Sequence, residues 1–258
     1  MTDHISVSRD GPILRLGFNR PEKKNAITQA MYAALVDGLI EANRDDAIRA
    51  VVFEAKGDLF TSGNDIADFM SGAGGPGEGE KPPVIRFLEA IATAEKPLIA
   101  AVQGPAVGVG VTMLFHCDLV YASEAATFHT PFVDLALVPE AASSLLLPQI
   151  AGHHRAAEML ILGKKIDGPR AREFGFVNEV LAPDALEDAA FGAAHAIAEK
   201  APAAMKLTKK LMKGDRAAVL ERMKEEGVHF AAQLQSAEFR EAGMAFMQKR
   251  KPDFSKLG

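Results

Sequence analysis

The chain has 258 residues, 48% of them hydrophobic and 24% charged, an ordinary globular composition with enough apolar material for one large core. Its formal net charge of −5 argues against the broad basic surface on which nucleic-acid binding relies, so any acidic ligand must be held locally. The single cysteine, Cys117, excludes an internal disulfide, and no apolar run reaches the roughly 18 residues that a membrane span needs.

In chain order, the start MTDHISVSRDG lacks the basic-then-apolar pattern of a signal peptide, so a soluble, non-exported protein is expected. ILRLGF (Ile13 to Phe18), AVVFEA (Ala50 to Ala55) and PLIAAV (Pro97 to Val102) read as strands. Between the first two, Met31, Leu35, Leu39 and Ala42 recur at helical spacing after Thr28, a plausible N-cap. This alternation of strand and helix indicates an α/β fold. The segment SGAGGPGEGEK (Ser71 to Lys81) has five glycines and a proline in eleven residues, so it has little apolar surface to bury and is expected to be a flexible loop. Beyond about Ala151 the pattern turns helical. HHRAAEMLILG ends on Gly163 as a helix stop, and Leu186, Ala189, Ala193 and Ile197 make a stripe. Leu220, Met223, Gly227, Phe230 and Leu234 form the seam of a helix that packs on other helices. The expected division is a core over residues 1–200 and a C-terminal helical oligomerisation subdomain over 201–258.

Three stretches stand out as carriers of chemistry: RPEKKNAI (Arg20 to Ile27), FTSGNDI (Phe60 to Ile66) and GPAVGVGVTMLFHCD (Gly104 to Asp118), each after a strand. Glycine has no side chain, so Gly63, Gly108 and Gly110 let backbone N–H groups approach a ligand, where they can hold an anion or a developing oxyanion. Any one of these glycines taken alone needs no more than a tight turn to explain it. Read as a dinucleotide fingerprint, GVGVTM lacks its third glycine, because Met113 stands there.

Together the three stretches resemble the crotonase (enoyl-CoA hydratase/isomerase) superfamily in order and spacing: Arg-Pro, three residues, Asn-Ala; then Phe-x-x-Gly-x-Asp; then a glycine-rich turn into a buried helix. The resemblance implies an α/β spiral of repeated β–β–α units, with coenzyme A entering as part of the substrate and no separate cofactor or metal. It also implies an oxyanion hole made of two backbone N–H groups, those of Asn64 and Val109, beside Gly63 and Gly108. Lys24 and the Asn25–Ala26–Ile27 backbone match the segment that contacts CoA. Asp65 and Ile66 fall beside the adenine, Ser62, Gly63 and Gly108 are counted among the substrate-binding residues, and Phe246 and Lys249 match C-terminal residues that reach CoA near a subunit boundary. A homotrimer or a dimer of trimers is implied as well.

Hydratases of this family carry glutamates at two positions that are here Thr112 and Phe132, so Phe132 is expected to line the acyl pocket instead. FHTPF and VPEAASS look like the peroxisomal-type Δ3,Δ2-enoyl-CoA isomerases, in which the glutamate after this proline is the acid/base; that resemblance gives the role to Glu140. Without it, Glu140 reads as a surface glutamate at a helix start. Other clusters fare worse. His116, Cys117 and Asp118 are consecutive and diverge, His153 and His154 have no spaced third ligand, Ser143 and Ser144 lack a nucleophile elbow, and His129 reads as a hydrogen-bonded core histidine. Gly258 puts Ser255–Lys256–Leu257 out of register for a peroxisomal address, so a cytoplasmic protein is expected. Rival readings are another thioester-enolate reaction, such as hydrolysis or decarboxylation, a non-catalytic acyl-CoA-binding protein, and a nicotinamide-dependent dehydrogenase.

Overall fold

The computed structural model describes residues 2–65, 68, 81–248 and 250–256. β1 (Ile5–Asp10) and β2 (Ile13–Phe18) form an antiparallel hairpin, and β3 (Ala50–Ala55), β4 (Leu98–Val102), β6 (Leu119–Ser123) and β9 (Glu179–Leu181) add in parallel to give the order β1-β2-β3-β4-β6-β9. A second sheet has the order β5-β7-β8, from β5 (Ala106–Val107), β7 (Thr127–His129) and β8 (Ile166–Asp167).

The central strands β3 and β4 are buried on both faces, which is why they read as near-continuous apolar runs, whereas the edge strands β1 and β9 are largely open. Side chains alternate across the larger sheet with period two. Leu14, Leu16, Phe18, Val51, Phe53, Leu98 and Ala100 face one core, whereas Ile13, Val52 and Ile99 face a smaller second cluster. The first core is covered by α1 (Gln29–Arg44), which the side chain of Thr28 caps by accepting from Met31 N and which buries Met31, Tyr32, Leu35, Leu39 and Ala42. The second is covered by α7 (Leu186–Ala198). There the buried face is Leu186, Ala190, Phe191 and Ala194, while Ala189 and Ala193 are half-buried. The helix lies on a sheet rather than on another helix, so a broad face is covered and its centre shifts by one residue from the expected stripe.

The remaining helices are α2 (Pro83–Thr93), α3 (Val109–Thr112), α4 (Ser143–Ala151), α5 (His153–Leu160), α6 (Gly168–Phe174), α8 (Pro202–Lys213), α9 (Arg216–Leu234) and α10 (Ala237–Met247). The helix beginning at His153 ends at Leu160, three residues before Gly163, which turns with φ +65. The expected loop at Ser71 to Lys81 lies outside the described residues except for Lys81. Helices α8 and α9 are tied to the core by buried polar groups. Lys209 donates to Asp118 and to Lys96 O, both at 2.7 Å, and the carboxyl of Glu226 in α9 is buried. Met223 and Phe230 of the α9 seam pack against the main core. Among the described residues no helix is long and apolar enough to cross a membrane.

Candidate active site

The turn after β2 is held from within. Asn25 is fully buried; its side chain accepts from Arg20 N at 2.8 Å and donates to Lys56 O and Leu59 O, each at 2.9 Å. Lys24 and Asn25 both sit in the left-handed region, at φ 54 and 53, a conformation that asparagine tolerates better than most residues. The Arg20 guanidinium meets Asp65 at 2.7 Å and Ala26 O at 3.1 Å. The turn is then laced to the next stretch: Ser62 N donates to Lys24 O, Ile27 N to Gly63 O, Asp65 N to Ile27 O, and Thr61 Oγ1 to Asn25 O. Lys24 is exposed, Ala26 half-buried and Ile27 buried. Asn25 therefore acts as a bracket with its side chain occupied inside the protein, leaving Lys24 and the surface of the turn open to a ligand.

The second and third stretches press against each other. Gly63 has φ +89, and a Cβ there would stand 2.9 Å from Val107 O; a Cβ on Gly110 would stand 2.3 Å from Thr61 Cγ2. Only glycine fits at either place, for conformation at the first and for space at both. Val107 N donates to Thr61 O at 3.0 Å, and Gly108, at φ +57, turns the chain into α3. The N–H groups of Asn64 and Val109 find no acceptor among the described residues. Val109 opens a helix, where the first N–H groups have no partner in their own helix. The side chain of Asn64 is fixed separately, because Tyr32 OH donates to its Oδ1 at 2.5 Å.

The carboxyl of Glu140 accepts from the hydroxyl of Thr112, at the far end of α3. Burial raises the Glu140 pKa from 4.5 to about 7; the hydrogen bond from Thr112 works against that shift, and the charge of Glu226 adds to it. Burial, and after it the charge of Glu140, also holds the phenol of Tyr32 well above its ordinary value. Tyr32, which donates to Asn64, is thus near enough to Glu140 to feel its charge. Phe132 is buried, with its carbonyl accepting from Leu137 N at 2.7 Å.

Of the expected site residues, Lys24, Ala26, Ile27, Ser62, Gly63, Asn64 and Asp65 gather along the first two turns, and Gly108, Val109 and Glu140 gather around α3. Ile66 and Lys249 lie outside the described residues, as does the side chain of Phe246. Sequence reading missed Tyr32, whose only signal was a tyrosine on a buried stripe that needs a polar partner. It also missed His116 and Glu226, which hold the loop after Glu140. His129 is hydrogen-bonded to Gly163 O at 3.0 Å as expected, but it is half-buried with Asp134 3.8 Å away and does not lie in the core. Among the described residues no group of three or more His, Cys, Asp or Glu side chains is placed to hold a metal ion.

A family model described as enoyl-CoA hydratase/isomerase matches residues 9–256. Enoyl-CoA delta isomerase 2 of Rattus norvegicus is 40% identical over 225 residues, which cover 86% of this chain and 57% of that protein. Peroxisomal enoyl-CoA delta isomerase 3 of Mus musculus is 36% identical over 255 residues, covering 93% of this chain and 79% of the relative. The chain therefore spans little more than half the length of the rat protein. A crystal structure of an enoyl-CoA hydratase/isomerase from Pseudoalteromonas atlantica T6c overlays with a TM-score of 0.93 at 47% identity, covering 98% of this chain and 100% of that one. The overlay takes in the sheets and the C-terminal helices together, and the expected crotonase-like α/β architecture is the one found.

Proposed function

The chain belongs to the enoyl-CoA hydratase/isomerase family, and we propose that within it the protein is a Δ3,Δ2-enoyl-CoA isomerase of fatty-acid degradation. Glu140 takes a proton from C2 of a 3-enoyl-CoA. The electrons move onto the thioester oxygen, where the N–H groups of Asn64 and Val109 hold the dienolate, and the protonated Glu140 returns the proton at C4. The double bond ends in conjugation with the thioester, and one carboxyl group completes the cycle with no further cofactor. Lys24, the 25–27 backbone, Ser62, Gly63, Asp65, Ile66 and Gly108 grip CoA, with Phe246 and Lys249 reaching it near a subunit boundary, and Phe132 lines the acyl pocket. The resemblance that gave these roles also implies a homotrimer or a dimer of trimers built on the helices of residues 201–258.

The observation that carries this reading is the setting of Glu140. Its carboxyl is half-buried against the Thr112 hydroxyl, and burial raises its pKa to about 7, so it can ionise near neutral pH and still be basic enough to work. Hydration needs a second carboxylate to help hold a water, and the nearby candidate, Glu226, has both oxygens engaged by backbone and hydroxyl donors. Thr112 and Phe132 supply none. The test is to give the protein 3-enoyl-CoA and 2-enoyl-CoA and to compare Glu140→Gln. Isomerisation of the first, a loss of about 10²–10⁴-fold in the variant and unchanged CoA affinity are expected. Near-normal turnover in the variant, or rapid hydration of 2-enoyl-CoA by the unaltered protein, overturns the reading.

A further inference from the structure

Glu140 runs directly into two consecutive alanines in the left-handed region, Ala141 at φ 59 and Ala142 at φ 56. Residues with a Cβ resist this conformation, so the surrounding structure must hold it. Two buried side chains from distant parts of the chain do so. His116 hydrogen-bonds to Ala141 O at 2.8 Å; a carbonyl only accepts, so Nε2 carries the proton. Glu226 is 5% exposed. Its Oε2 accepts from Ala142 N at 2.6 Å, and its Oε1 accepts from Ser144 N at 3.0 Å and from the Ser144 hydroxyl at 2.5 Å.

Ala142 is the N-cap residue of α4 and offers no side-chain cap of its own. A local serine or aspartate normally does this work; here a carboxylate from α9 does it from 84 residues away in sequence. Every partner of Glu226 in that set donates, a pattern that suits the ionised carboxylate. The bonds fall on the two residues that follow Glu140 and on the first turn of α4, so they fix the direction in which the chain leaves the glutamate.

We propose that Glu226, with His116 on the other side, is a positioning residue for Glu140: it clamps the left-handed turn behind the acid/base and so fixes where that carboxyl group stands. This rests on the reading of Glu140 as the acid/base. A second consequence follows from charge: burial raises the Glu226 pKa, the donors of Ser144 and Ala142 and the charge of Arg222 work against that shift, and in its ionised form Glu226 raises the Glu140 pKa. The other groups facing this pair are Arg222 and Ser144 against Glu226, Thr112 and Tyr32 against Glu140, and Lys209 and Lys213 behind His116.

The test compares the full-length protein with Glu226→Gln, with Glu226→Gln combined with Ala142→Gly, and with Glu140→Gln. Two readouts are taken: kcat and KM for 3-enoyl-CoA, and the titration of the Glu140 carboxyl by ¹³C NMR, its signal assigned by its loss in Glu140→Gln. Glutamine turns an amide NH₂ towards N–H donors that need an acceptor. For Glu226→Gln a fall in kcat on the order of tenfold or more is expected, as for other small misplacements of a reacting group, with KM within about threefold. Glu140 should titrate at lower pH than in the unaltered protein. Glycine takes the left-handed turn unaided, so Ala142→Gly should recover much of the lost kcat while leaving the titration displaced. A kcat within about twofold of the unaltered protein together with an unmoved Glu140 titration overturns the proposal, and so does a loss that Ala142→Gly does not relieve. If the unaltered protein fails to isomerise 3-enoyl-CoA, the functional reading fails by itself, and the titration still decides whether Glu226 acts on Glu140.

Discussion

Replacing Glu140 by glutamine should make the protein more stable above neutral pH even as it removes turnover. The folded state holds this carboxyl at a pKa of about 7, against 4.5 for an unperturbed glutamate. Between those values the folded protein keeps a proton that the unfolded chain has released, so stability falls as pH rises through the window. At one pKa unit per 1.36 kcal/mol the loss reaches roughly 3 kcal/mol above pH 7 as an upper figure. Glutamine carries no charge to desolvate and keeps the shape. The difference between variant and parent should therefore be small at pH 4.5, grow through pH 6 and level off above about pH 7. His116 acts with the opposite sign. Burial lowers its pKa from 6.5 to about 4, so the unfolded chain binds the extra proton between those values and stability rises with pH there. The two slopes oppose each other between pH 4.5 and 6.5 in the parent, and removing Glu140 should uncover the rising slope of His116. Urea unfolding at half-unit steps from pH 4.5 to 9 measures both curves. A variant-minus-parent difference that does not change with pH refutes the account of Glu140 as a carboxyl buried at a cost.

Thr112→Val keeps the shape and removes the hydrogen bond that opposes the upward shift of Glu140. The acid limb of the kcat–pH profile should move above pH 7, with the rate lost at pH 7 regained near pH 9; an unmoved limb speaks against the contact. Gly63→Ala puts a Cβ 2.9 Å from Val107 O at a φ of +89, so a stability loss of roughly 1–3 kcal/mol and a clear drop in kcat/KM are expected, read by thermal melting and steady-state kinetics. A variant within about 0.5 kcal/mol of the parent and fully active refutes the close packing of the two turns.

What the sequence made legible follows the range of the interactions involved. The strands at 13–18, 50–55 and 98–102 and the Thr28 cap are set by neighbours in the chain, and they form where the pattern puts them. The glycines mark turns by the same local logic. Tyr32 reads as one more apolar residue in the α1 stripe, because its hydroxyl finds Asn64 only after the second turn folds beside it. Glu226 sits on a helix rich in exposed charges such as Glu221, Lys224 and Glu225, and nothing in the spacing sets it apart. Only docking of α9 on the loop after Glu140 buries it. The α7 stripe missed by one residue for a related reason: the period gives a face, and the partner decides its centre.

The two halves of the proposed chemistry place different demands on the chain, and the structure separates them. Stabilising a dienolate calls for N–H groups at two points, which constrains conformation at Gly63 and Gly108 and packing at Gly110, yet leaves the side chains of Asn64 and Val109 free for other work. Asn64 accepts from Tyr32, and Val109 is buried in the core. Carrying a proton calls for one side chain whose pKa and direction are both controlled, and no single turn provides that. Thr112 at the end of α3 supplies the hydrogen bond, the packed interior supplies the desolvation, and α9 supplies the clamp and a neighbouring charge. The oxyanion donors can therefore be specified by short glycine motifs in the first half of the chain. The proposed acid/base depends on contacts that span from α3 to α9, which would make the C-terminal helices part of the proposed site.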